Sequence, residues 1–181
     1  MPFAYYNRLN SRDRAIYRRS DEVTALELPH AELLHPLVDA LREALEREDR
    51  RSVERAADLL ARGILKLLEL SPVQVQVLAV RPSSSDGELH GLYTREEGRP
   101  TRIQLWMRTV RHKRVVAFRT FLRTLLHELG HHLDYELLGL ADSFHTEGFF
   151  QRESSLFRQV VPEEAAKRRA QDLESPPPER K

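Results

Sequence analysis

The chain has 181 residues, with 29 basic and 28 acidic side chains and a formal net charge of +1, so no global field draws it to nucleic acid or to a membrane surface. Hydrophobic residues make up 40%, which excludes an intrinsically disordered chain and suffices for one core with a small appendage. Cysteine is absent, which excludes disulfides and thiolate metal sites.

Residues 1–28 read as an arm. Ser11 or Asp13 is a candidate cap for a short helix. Its arginines, interleaved with Tyr5, Tyr6 and Tyr17, have the makings of a grip on a phosphate backbone. The simpler expectation is an arm docked on the domain by Tyr5, Tyr6, Ile16 and Tyr17, its arginines in solvent. A third expectation is that the arm covers and restrains the cleft of the domain that follows.

Residues 29–161 form that domain, and 29–70 read as a helical hairpin. Leu33, Leu34, Leu37, Val38, Leu41 and Leu45 recur at helical spacing, as do Val53, Ala56, Leu60, Ile64, Leu67 and Leu68. Pro36 suits a first helical turn, and Asp49 or Ser52 a cap after the turn at 48–52. The hairpin is expected to pack behind a sheet.

That sheet is expected over 73–107, where the pattern changes to period two. Val73, Val75, Val77 and Ala79 alternate with Gln74, Gln76 and Leu78 between Pro72 and Pro82. Residues 88–94 and 102–107 supply two more strands, and the short links predict an antiparallel meander. An exposed edge strand would align an extended peptide through backbone hydrogen bonds, although the pattern does not say which strand is the edge. The charged stretch 108–114 reads as a solvated linker. His112 and His132 read as surface histidines, and His30, His35 and His90 lack ligand spacing.

A helix is predicted over 121–135. It carries His127-Glu128-Leu129-Gly130-His131, two histidines one turn apart on a helix whose core side is Leu122, Leu125, Leu126, Leu129 and Leu133. Two imidazoles so placed can share one Zn²⁺, and Glu128, about 100° round from His127, can reach a water at the metal without ligating it. Three protein ligands leave a fourth position for water, whose pKa then falls to about 7. A neighbouring carboxylate can take that water's proton and pass it to a leaving amine.

The third ligand must come from further on. Gly139 stops the helix, Asp142 or Ser143 is a candidate cap for a second one, and His145, Phe149 and Glu153 fall on one face of it. His145 is the first choice, with Glu153 and Glu147 as competitors; a losing carboxylate, or Asp134, would orient a ligand from outside. Tyr93 and Tyr135 are candidate donors to a transition-state oxyanion. Residues 162–181 read as a polar tail, with a short helix at 162–170 and a disordered end after the prolines at 176–178. No apolar run approaches the length of a membrane span, so a soluble cytoplasmic protein is the expectation.

Residues 91–150 resemble the minimal zinc metallopeptidase domains of the gluzincin type, and among them the SprT-like group. The resemblance rests on Gly91-Leu92-Tyr93, Ile103-Gln104-Leu105-Trp106-Met107, Leu126-His127-Glu128-Leu129-Gly130-His131 and His145-Thr146-Glu147-Gly148-Phe149. It covers about one third of the chain. It implies a minimal zincin-like α+β fold, with a small, mostly antiparallel sheet on the His-bearing helix. It also implies a Zn²⁺ peptidase acting on peptides or unfolded protein, with His127, His131 and His145 as ligands and Glu128 as general base. Asp134 and Leu137 stand where the metzincin variant needs glycine and histidine, and the cysteine ribbon that many SprT-like proteins add is absent. The rival expectations are a zincin-fold regulatory or scaffold protein that binds metal but cleaves little, a DNA-associated SprT-like protease, and a basic DNA-associated protein whose histidines are incidental.

Overall fold

The computed structural model describes residues 3–84, 87–161 and 163. The predicted C-terminal tail lies outside these residues, Glu163 excepted.

After a 3-10 turn at Ala4–Arg8, helix α1 spans Ser11–Glu22. Its cap is Asn10 rather than Ser11 or Asp13: the Asn10 side chain accepts from the Asp13 amide at 2.9 Å. Ile16 and Tyr17 are buried, as a docked arm requires.

The hairpin forms where periodicity puts it, as α2 (His35–Glu46) and α3 (Arg50–Leu67), with Pro36 in the first turn of α2 and Asp49 capping α3. Val38, Leu41, Val53, Leu60 and Ile64 are fully enclosed, each such side chain contributing roughly 1.5–3 kcal/mol by leaving water. Leu33 is an exception at 65% exposed, because Ala31–Leu34 is a 3-10 turn in which the helical period does not hold.

The sheet corrects the predicted meander. Its strands are β1 (Gln74–Val80), β4 (Gly91–Thr94) and β5 (Arg102–Arg108); β2 (Ser83–Ser84) and β3 (Gly87–Glu88) make a separate two-stranded ribbon. The order is β1-β5-β4, with β1 parallel to β5 and β4 antiparallel to it. The sheet is therefore mixed, not mostly antiparallel. Ile103, Leu105, Trp106 and Met107 are all buried, so β5 needs a neighbour on each side. The segment 81–90 is long enough to carry the chain past β5 to the far edge.

The two edges differ. Along β1, α3 covers the strand: Glu54 and Asp58 accept from the amides of Val77 and Val75 at 2.9 and 3.2 Å, and Arg50 donates to the Val77 carbonyl. Strand β4 is the other edge, and it lies on α4 (Phe118–Glu136). Leu122, Leu125, Leu126, Leu129 and Leu133 of α4 are fully buried against the sheet and hairpin. The helix ends at Glu136 with Leu137 as its C-cap, and Gly139, at φ +60°, turns the chain. Helix α5 (Glu147–Val160) then folds back along α4. Its cap is Thr146, not Asp142 or Ser143, so His145 lies in the irregular stretch before the helix instead of on its face. The molecule is thus α+β, and among the described residues no helix is long and apolar enough to cross a membrane.

Candidate metal centre

His127 and His131 project from one face of α4, and His145 meets them from the stretch between α4 and α5. The three Nε2 atoms converge. That of His145 is 2.9 Å from Nε2 of His127 and 3.1 Å from Nε2 of His131. A proton on Nε2 of His145 could serve only one of these neighbours, so direct hydrogen bonding does not account for the triangle. Two nitrogens on one tetrahedral zinc, each at about 2.1 Å, lie roughly 3.4 Å apart, close to the observed spacing. The three histidines form a group that can hold a metal ion.

The opposite ring nitrogens have partners of their own. Nδ1 of His127 meets Oε2 of Glu153 at 3.2 Å, and Arg123 holds the other oxygen of that carboxylate at 3.2 Å. Nδ1 of His131 meets the Ser143 hydroxyl at 2.7 Å, which donates to Asp134 at 2.7 Å. A proton on each Nδ1 leaves a lone pair on each Nε2 facing the centre, the tautomer a metal requires. Asp134 is fully buried and paired with Arg152 at 2.7 Å. Burial pushes its carboxyl up, while Arg152 and Ser143 pull it back.

Burial, aided by the neighbouring His127 and His145, drives His131 down to about 3, and burial and His127 lower His145. Both imidazoles are neutral near pH 7, as ligation demands. Phe149 forms the floor beneath the triad, its ring centroid 5.0, 4.9 and 5.3 Å from those of His127, His131 and His145. Gly130 makes room for that ring: a Cβ there would lie 3.0 Å from Cζ of Phe149.

Glu128 is 6% exposed, and burial raises its carboxyl to about 7, against the opposing pull of His127 and the Tyr93 backbone. It opens onto a cleft of about 710 Å³ between β4, α4 and the His145 loop. Residues 89–93 form one wall, and Thr120, Arg123, Thr124 and Glu153 line it further along. Among the described residues, none from 3–28 lines this cleft, so the expected cover does not lie over it.

The structure therefore brings together His127, Glu128, His131 and His145. Glu153 stands behind His127, where it orients the ring. Glu147 is exposed on α5, near the Gln151 amide and away from the cleft lining. Tyr93 and Tyr135 line the cleft, but both hydroxyls are engaged: Tyr93 with Nδ1 of His132 at 3.2 Å, and Tyr135 donating to Asp142 at 3.2 Å. His132 is not the surface residue its sequence suggests; it is 3% exposed beneath Tyr93. Ser143 and Arg152 are supporting residues that sequence reasoning missed. Ser143 reads equally well as a cap, and nothing in the spacing marks Arg152 as the partner of Asp134. No family model matches the chain, and no curated protein or solved structure is significantly similar to it.

Proposed function

We propose that the protein is a zinc-dependent metallopeptidase with a minimal zincin-like domain. The observation that carries this reading is the meeting of three Nε2 atoms, two of them backed by hydrogen-bonded Nδ1 atoms, beside a buried carboxylate one residue from a ligand. His127, His131 and His145 would hold the ion, which when bound supplies Lewis acidity and an acidified water.

The chain's own groups do the rest. Glu128, a buried carboxylate beside the triad, is placed to accept a proton from water and return it to a departing amine nitrogen. Among the described residues, strand β4 is the edge of the sheet beside Glu128 and the triad and has no further strand next to it, so an extended peptide can add there by backbone pairing and lie across the cleft. Leu89 and Leu92, 40% and 39% exposed on that wall, offer apolar contact to its side chains. Pairing through the backbone suits unfolded segments of little fixed sequence.

The test is metal content together with casein hydrolysis. The expected result is one zinc per chain, hydrolysis by the wild type, and loss of hydrolysis with zinc retained in Glu128→Gln. A wild type without stoichiometric metal, or a Glu128→Gln variant as active as the wild type, would sink the proposal.

A further inference from the structure

The third histidine lacks the support the other two enjoy. His127 and His131 sit on a helix, whereas His145 belongs to an irregular stretch that must be fixed from outside. Taking the triad as a metal centre, we propose that the N-terminal segment 3–23 is a positioning element of that centre, with Tyr5 as the residue that fixes His145.

The Tyr5 hydroxyl donates to the His145 backbone carbonyl at 2.7 Å across 140 positions of sequence. The Tyr5 ring is held in turn. It stacks on Phe3 at 6.3 Å between centroids and meets Tyr17 edge-on at 5.9 Å, and Tyr17 is itself 1% exposed. Phe3 also meets Phe150, whose ring stacks on that of His145 at 5.8 Å. Backbone and ring of His145 are therefore both addressed from the arm.

A second connection reaches His131. The carbonyls of Ser20 and Val23 and the Ser20 hydroxyl accept from Arg152, which holds Asp134, which holds Ser143 against the His131 ring. The arm is pressed close at this point. Asp21 accepts from the Gly148 amide at 2.9 Å, and a Cβ on Gly148 would lie 2.4 Å from the Asp21 carbonyl oxygen. The segment works from behind the triad, so displacing it loosens two ligands rather than opening a blocked cleft.

The test uses the full chain and Zn²⁺ alone. Tyr5→Phe keeps the ring contacts and removes the donor. Competition against a chromophoric chelator should show zinc held roughly two- to tenfold more weakly, the scale of one net hydrogen bond. Tyr6→Phe, at a ring that also packs on Tyr17, should bind zinc as the wild type does. Thermal midpoints of the metal-free proteins provide the second measurement. A Tyr5→Phe protein whose metal-free midpoint falls while its zinc affinity equals that of the wild type has lost only a structural bond, and that result overturns the proposal. Unchanged affinity with an unchanged midpoint overturns it too. A wild type that binds no zinc removes the metal centre itself, a different failure seen before any variant is compared.

Discussion

A Cβ at position 91 would lie 2.3 Å from Oε1 of Glu128 and 2.7 Å from its Cγ. Strand β4 thus runs against the carboxylate with no allowance for a side chain, and Gly91 is what lets the edge strand and the buried acid share the space. Gly91→Ala should force Glu128 into another rotamer. On the proposed function, in which Glu128 is the general base, such a base contributes roughly 10²–10⁴-fold, so peptidase activity should fall at least about tenfold. Zinc stoichiometry should stay at the wild-type value; a variant that keeps full activity would show that Glu128 has freedom the packing denies it.

Removing a ligand and removing its support should be distinguishable. His145→Ala leaves two nitrogens for the ion and should abolish tight binding. Glu153→Ala leaves all three but frees Nδ1 of His127, and loss of such a partner typically weakens a metal site about 10–100-fold. Chelator competition on both variants gives the order. Equal loss in the two would instead make Glu153 a ligand.

Arg152 and Asp134 form an ion pair with side chains 4% and 0% exposed. Arg152→Leu strands a buried carboxylate, and breaking such a pair by removing one partner costs roughly 3–5 kcal/mol. Urea unfolding of the metal-free protein should show this as a lowered midpoint. Asp134→Asn keeps the shape and part of the hydrogen bonding, but leaves the guanidinium charge uncompensated.

Glu128 also makes a prediction for the metal-free protein. Its folded carboxyl titrates at about 7, above the ordinary value of 4.5, so the folded state holds a proton that the unfolded chain has released. Its contribution is fully present below pH 4.5 and is lost as pH rises towards 7. Relative to Glu128→Gln, the stability of the wild type should therefore decline by about 1.4 kcal/mol per pH unit across that window. Denaturant melts of both proteins at several pH values measure it, and a difference that stays flat with pH would contradict the burial of this group.

Much of this molecule was legible in its sequence for a local reason. The hairpin and α4 repeat leucines at helical spacing, so their buried faces are written in the periodicity. His127, Glu128 and His131 need only one helix to be placed together. Strand order was not legible, because β1 lies beside β5 through a pairing that short links do not reveal; only the burial of consecutive residues in β5 betrays a central strand. The cap of α5 is not legible for a related reason. Asp142 and Ser143 are good capping residues already committed elsewhere, the first to Tyr135 and the Ser143 amide, the second to His131 and Asp134. His132 looked like a surface residue because its cover, Tyr93, comes from a strand 39 positions away.

The carboxylates of Glu54 and Asp58 on the β1 amides have an effect beyond that strand. A foreign chain approaching from that side finds the Val75 and Val77 amides already bonded and negative charge in front of them. A strand added along β1 would first have to displace both carboxylates. The other edge, β4, lies open beside the histidines.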